Sequence, residues 1–115
     1  MNFVTIGDCT IPTVLARTEA EQERGLMFVR GTPPVMTFVF AEPDERFFWM
    51  KNTYVPLDII FCHKGLVTGV VQGRPESEEL VGPGGMSDTV VEMPAGMARK
   101  MNIRSGLPVR VILDH

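Results

Sequence analysis

The sequence contains few of the residues that build disulfide-linked or metal-held structures. Its 115 residues include two cysteines, Cys9 and Cys62, and two histidines, His63 and His115. Cys62 and His63 are neighbours on a predicted strand and therefore point in opposite directions, and the chain has no C-x-x-C or H-x-x-x-H spacing. We therefore predict no metal site and no cofactor. Both cysteines are interpreted as reduced thiols, with Cys62 buried and unreactive.

Long apolar runs and clustered basic residues are also missing. No run approaches the roughly 20 apolar residues that are needed to span a bilayer, and the net charge of −3 disfavours a partner held through its phosphates. The N-terminus enters a strand pattern directly, without the basic segment, apolar stretch and cleavage site of a signal peptide. We therefore predict a protein with no membrane or nucleic-acid partner in the cytoplasm, whether the cell's own or one shared with a virus.

The overall composition is that of a globular protein. Hydrophobic residues make up 44% of the chain and charged residues 22%, which is ordinary for a soluble domain. A chain of this length can bury about two-thirds of its unfolded surface. We therefore predict one domain, residues 1–115, with a single self-sufficient core.

Turn residues divide the chain into short apolar runs and two short helical segments. Thr18 and Glu21 form a capping box, and Gly25 is suited to end the helix that follows. A second helix is predicted from Pro94 to about Asn102. Strands are predicted over residues 2–6, 11–16, 35–41, 46–50, 57–62, 66–72, 88–93 and 107–113. The pattern has no βαβ rhythm, so it predicts an α+β fold around a mainly antiparallel, strongly curved or barrel-like sheet.

The stretch 47–61 concentrates residues that could form a binding surface. It holds the only tryptophan and the only tyrosine of the chain, and its two apolar runs flank a polar turn, which predicts a hairpin. Trp49 has two interpretations, as the wall of a pocket or as an anchor of the core, and the second is favoured because large aromatic residues dominate small cores. The predicted binding residues are Trp49, Lys51, Asn52, Thr53, Asp58 and, from the first helix, Arg24.

Two acids stand alone in apolar strands. Asp58 lies in L-D-I-I-F and Glu92 in V-V-E-M, and a carboxyl group in such a strand must be paired. The structural interpretation is that Asp58 accepts amides of the 52–55 turn or pairs with Arg24 or Lys51. The catalytic interpretation is that Asp58 and Glu92 face one cleft as a carboxyl pair, a pattern used in the hydrolysis of sugar-like bonds.

Five blocks of sequence carry a resemblance to a known family. They are E-R-G-L-M at 23–27, F-V-F at 38–40, F-W-M-K-N-T at 48–53, P-L-D-I-I-F at 56–61 and V-E-M-P-A-G at 91–96. In order and approximate spacing the chain resembles the domain-of-unknown-function 192 family over nearly its whole length. The resemblance implies a small compact α+β domain rich in β-structure and no assigned reaction. The chain departs from the family pattern at 34–36 and in the glycine-rich loop at 82–85.

These observations favour a non-enzymatic binding or assembly domain. Its surface of residues 49–58 would dock a protein partner or a small ligand, because aromatic and polar groups gather there without a recognisable nucleophile and base. An accessory component of a larger assembly, such as a phage particle, is one form of this hypothesis, and a homo-oligomer is another. The alternative is a small hydrolase or transferase that uses Asp58 and Glu92 as paired carboxylates.

Overall fold

The computed structural model describes residues 1–82 and 85–114, so Pro83 and Gly84 of the glycine-rich loop lie outside the described part. These residues form seven strands and two short helices. In chain order they are β1 (Asn2–Ile6), β2 (Cys9–Ala16), α1 (Glu19–Arg24), β3 (Met36–Glu45), β4 (Leu57–His63), β5 (Leu66–Gly73), β6 (Met86–Pro94), α2 (Met97–Lys100) and β7 (Val109–Ile112).

All seven strands belong to one curled sheet. Their order is β5-β4-β6-β3-β2-β1-β7, and every neighbouring pair except β2 and β3 is antiparallel. The two outer strands meet at one end, where Leu66 bridges Pro108 and the Val67 amide donates to the Leu107 carbonyl at 2.9 Å. The sheet is therefore a half-barrel. The predicted fold class, an α+β domain with a mainly antiparallel, strongly curved sheet and two short helices, is confirmed.

The parallel pair β2 and β3 depends on α1, because parallel neighbours need a crossover connection. The predicted capping box is present at the start of this helix. The Glu21 amide donates to Thr18 Oγ1 at 3.1 Å, and the Thr18 amide donates to Glu21 Oε1 at 3.0 Å. The helix ends at Gly25, as predicted, with φ of 50° and an amide that donates to the Glu21 carbonyl at 2.9 Å.

Thr18→Ala is expected to destabilise the protein by about 1 kcal/mol, because it removes the side-chain acceptor of the Glu21 amide at the N-cap. Urea unfolding followed by circular dichroism measures this loss. Thr32→Ala, in the exposed connection after α1, is the matched control and is expected to change stability by less than about 0.5 kcal/mol. Equal effects of the two substitutions would contradict a stabilising cap.

The curled sheet has apolar side chains on both faces. Strand β4 is buried from Leu57 to Cys62, and its side chains alternate between two core clusters. Leu57, Ile59 and Phe61 pack with Phe38 in one cluster. Ile60 and Cys62 belong to the other cluster, which also contains Ala98 of α2. Two functional side chains on neighbouring strands can therefore lie on opposite sides of the sheet.

Residues 46–50 do not form the predicted hairpin with β4. The reason is that β4 is already paired with β5 on one side and β6 on the other, so no edge is left for a third partner. Phe48 instead makes one isolated bridge with Val81. The alternation of side chains remains, with Phe48 and Met50 packed against the core while Phe47 and Trp49 are exposed.

The second helix is shorter than predicted. Pro94 is the last residue of β6, where it lies opposite Leu57, and Gly96 follows with φ of 92°. The helix is a single turn that starts at Met97, and Asn102 with φ of 55° ends this segment. Neither helix within the described ranges has the length and apolar character needed to cross a membrane.

Candidate functional site

A cleft of about 870 Å³ opens on the side of the sheet that faces α1. One wall is the segment 19–28, which comprises α1 and the turn after it, and the opposite wall is the segment 46–49. The buried residues at its base include Leu26, Phe38, Thr53 and Glu92. We call this feature the aromatic cleft, because Phe28, Phe38, Phe40, Phe47, Phe48 and Trp49 all line it.

Each wall is held by a backbone hydrogen bond to a neighbouring segment. The Phe28 amide donates to the Asn52 carbonyl at 2.8 Å, and both residues have positive φ, 67° and 56°. On the other wall, the Phe48 amide donates to the Val81 carbonyl at 2.9 Å. Loop backbone that is bonded in this way holds the exposed rings of Phe28, Phe47 and Trp49 at the rim of the cleft.

Phe48 anchors the base of the cleft to the core. Its ring meets the rings of Phe38 and Phe61 edge-on, with centroids 5.1 and 5.7 Å apart and interplanar angles of 86° and 84°. Edge-to-face pairs of this kind contribute roughly 0.5–1.5 kcal/mol beyond the area that they bury. The wall that carries Phe47 and Trp49 is thus built on a packed aromatic cluster.

Glu92 is the one acid at the base of the aromatic cleft. Its side chain is 4% exposed and makes no hydrogen bond or ion pair with any residue that the structure describes. Burial raises the pKa of this carboxyl from 4.5 to about 7, because an ionised group loses hydration there. Gly25 lies against it, since a Cβ at this glycine would be 3.7 Å from Glu92 Oε1 and 3.3 Å from Phe38 Cζ.

Asp58 lies on the other side of the sheet. It is 2% exposed, and its Oδ2 accepts the backbone amides of Gly96 and Ala98 at 2.9 and 3.0 Å. The acid therefore caps the start of α2 from a neighbouring strand. The partners expected from the sequence, which were amides of the 52–55 turn, Arg24 or Lys51, are wrong, because the donors are the amides of Gly96 and Ala98 at the start of α2.

The carboxyl pair of the catalytic hypothesis does not form. In the antiparallel register of β4 and β6, Asp58 lies opposite Met93 and Ile59 lies opposite Glu92. Residues that lie opposite each other share one face, and successive residues of a strand alternate between faces. Asp58 and Glu92 consequently point to opposite sides of the sheet.

The other predicted binding residues are distributed around the aromatic cleft. Trp49, Thr53 and Arg24 line it. Lys51 stands beside it, with Nζ 5.1 Å from the centroid of Trp49, and Asn52 supplies the carbonyl that holds Phe28. The favoured interpretation of Trp49 as a core anchor is wrong, because this ring is 42% exposed.

Most residues that line the cleft were not predicted as site residues, and Gly25, Phe28, Arg46 and Phe47 are among them. The sequence does contain a signal for Phe47. Successive side chains of an extended segment point to opposite sides, so Phe47 and Trp49, two residues apart, share one side. Phe28 offers no such signal, since its exposure depends on a positive φ in the turn after α1. Arg46 lies over the ring of Phe40, with its guanidinium carbon 3.8 Å from the centroid.

The half-barrel sheet and its one-sided cleft make this chain a small α+β domain with a pocket beside the first helix. The chain belongs to the DUF192 family, described as an uncharacterized ACR, whose model matches residues 3–111. The predicted resemblance to this family is confirmed. A search of curated proteins found no match.

Two solved structures share the fold. One is a protein of unknown function from Novosphingobium aromaticivorans, with 34% sequence identity and a TM-score of 0.85 over 94% of this chain and 83% of that chain. The other, from Sinorhizobium meliloti, is described as a candidate transcription regulator. It has 26% identity and a TM-score of 0.89 over 96% of this chain and 94% of that chain. The half-barrel is therefore a fold that this chain shares with these two proteins.

Proposed function

We propose that this protein is a binding domain whose aromatic cleft takes a small organic ligand. The observation that carries the proposal is Glu92, a buried carboxyl group without a partner among the described residues at the base of a ring-lined cleft. Buried polar groups are as a rule hydrogen-bonded, and leaving one unpaired is unfavourable by roughly 1–3 kcal/mol. A ligand that reaches Glu92 would supply the missing partner.

The size and lining of the cleft are those of a ligand pocket and not those of a packing defect in the core. Ligand pockets have volumes of roughly 300–1,000 Å³, mostly apolar walls and a few polar groups that fix orientation, and a cleft of about 870 Å³ is within that range. Its walls present three exposed aromatic rings, those of Phe28, Phe47 and Trp49. Exposed rings around a buried polar group would stack on a ligand and exclude water from its polar contact.

The enzymatic alternative receives less support. It requires two carboxyl groups in one cleft, but in the register of β4 and β6 the side chains of Asp58 and Glu92 lie on opposite faces of the sheet. Docking of a protein partner, assembly with other copies or in a phage particle, and the cytoplasmic location stay predictions. This proposal assigns binding to the cleft between segments 19–28 and 46–49, and not to residues 49–58 as a whole.

The proposal is tested by nuclear magnetic resonance titration of the ¹⁵N-labelled protein with 2-phenylethanol. Amide shifts are expected to cluster at residues that line the cleft, among them Gly25, Phe48 and Glu92. Trp49→Ala is expected to raise Kd roughly fivefold, because an aromatic contact is worth about 1 kcal/mol.

Leu80→Ala is the matched control, because Leu80 is a large exposed apolar residue outside the cleft lining, and its Kd is expected to stay within about twofold of the unmodified protein. Shifts scattered over the surface, or an unchanged Kd in Trp49→Ala, would rule out the aromatic cleft as the binding site.

A further inference from the structure

We propose that the ligand of the aromatic cleft is an organic cation, an amine or guanidine carried on an apolar body. This inference rests on the proposed function and names the chemical class that the cleft would select. Its basis is the combination of one buried acid at the base and aromatic faces along the walls.

Glu92 needs a charged partner more than a neutral one. When ionised, an unpaired buried carboxylate is costly, and a cation in direct contact removes most of that cost. The neighbours of Glu92 across both strands are Met36 and Ile59, and neither side chain can donate a hydrogen bond. A neutral polyol would need several polar groups at the base, where Thr53 Oγ1 already lies 3.3 Å from the Lys51 carbonyl.

The walls of the cleft already bind cations of the protein itself. Arg24 lies over Phe28 with its guanidinium carbon 5.7 Å from the ring centroid. Arg46 lies 3.8 Å from the centroid of Phe40, and Lys51 Nζ lies 5.1 Å from that of Trp49. The negative face of an aromatic ring attracts a cation within about 6 Å. Phe47, an exposed ring of the same cleft, has none of the described cations over it, so this ring is available to the cation of a ligand.

The two arginines of the cleft do not make it a site for anions. Arg46 is engaged by carbonyl groups, since Nη2 donates to Glu42 O at 2.6 Å and Nε donates to Ser87 O at 3.4 Å. Arg24 is exposed on the rim, where water and salt screen its charge. An anion that entered the cleft would meet Glu92, whereas a cation would pair with it.

The charged groups around Glu92 come from two segments. The α1 wall contributes Glu19, Glu23 and Arg24, and the opposite wall contributes Arg46. The residues that flank Glu92 on β3 and β4 are uncharged. Because the wall groups reach the cleft from its rim and Glu92 lies at its base, the ionisation of Glu92 determines the charge that a deeply bound ligand group meets.

Three probes with similar bodies and different charges test the inference: 2-phenylethylamine, 2-phenylethanol and 3-phenylpropionate. Their Kd values are measured by calorimetry on the unmodified protein and on Glu92→Gln, at about pH 8.5 and about pH 5.5, a range in which the amine stays protonated. The amine is expected to bind at least tenfold more tightly than the alcohol at the higher pH. Its affinity is expected to fall at least tenfold at the lower pH, because only ionised Glu92 pairs with it.

Glu92→Gln is expected to remove both the preference for the amine and the dependence on pH, and Glu78→Gln, an exposed loop acid outside the cleft lining, is expected to leave both intact. If all three probes bind at the cleft with similar Kd values, or if 3-phenylpropionate binds most tightly, the cation inference is wrong and the proposed function stands. If none of the three probes shifts the amide resonances of the cleft residues in the ¹⁵N titration, the proposed function fails as well.

Discussion

Replacing Asp58 by alanine is expected to destabilise the protein by about 3 kcal/mol. The substitution removes the acceptor of two backbone amides, those of Gly96 and Ala98, at a site where the side chain is 2% exposed. Each unsatisfied buried donor costs roughly 1–3 kcal/mol. The helix that these amides begin also carries Ala98 into the core, so its loss would loosen packing on that face of the sheet. Urea unfolding measures the change.

Asp58→Asn distinguishes the contribution of the charged acceptor to stability from the contribution of the side chain's size. The amide oxygen of asparagine can still accept from Gly96 and Ala98, although less strongly than a carboxyl group, so this variant is expected to lose about half as much stability. Asp8→Ala, in the exposed turn between β1 and β2, is the control and should change stability by less than about 0.5 kcal/mol. A loss below 1 kcal/mol in Asp58→Ala would show that the cap is dispensable.

Features that depend on local sequence were predicted well. The capping box of Thr18 and Glu21 and the glycine end of α1 form as expected, because their partners are within one helical turn. Strand β1 has the predicted bounds of Asn2–Ile6. The failed hairpin of residues 46–50 depended on whether β4 had a free edge, and its partners β5 and β6 come later in the chain.

The candidate site was predicted in its residue types and missed in its geometry. Asp58 and Glu92 stand out in the sequence as lone acids in apolar strands, and both are buried. Whether they meet depends on the register of β4 and β6, in which a shift by one residue reverses every side chain. Trp49 posed the same difficulty. The side chains of Phe48 and Trp49 are predicted to point to opposite sides of the segment, but the sequence does not show which of the two sides packs on the core.

Glu92→Gln is expected to stabilise the protein at high pH by about 3 kcal/mol and to have little effect at low pH. The pKa of Glu92 is about 7 in the folded protein, against an ordinary value of 4.5, so the folded state holds the proton more tightly than the unfolded state. Stability that derives from the protonated carboxyl is complete below about pH 4.5, declines as the pH rises to about 7, and is absent above that pH. The magnitude follows because one pKa unit corresponds to about 1.4 kcal/mol.

The measurement is the difference in unfolding free energy between Glu92→Gln and the unmodified protein at a series of pH values, since other titrating groups cancel in that difference. Glu92→Met tests the same point with an apolar side chain, which suits the flanking Met36 and Ile59 and is expected to stabilise at high pH as well. Glu78→Gln should give a difference of less than about 0.5 kcal/mol at every pH. A difference that does not grow between about pH 5 and 8 would mean that water or a bound group already satisfies the carboxyl. Growth across that interval would instead identify Glu92 as a group that makes the folded state less stable at neutral pH, as binding sites often do when no ligand is present.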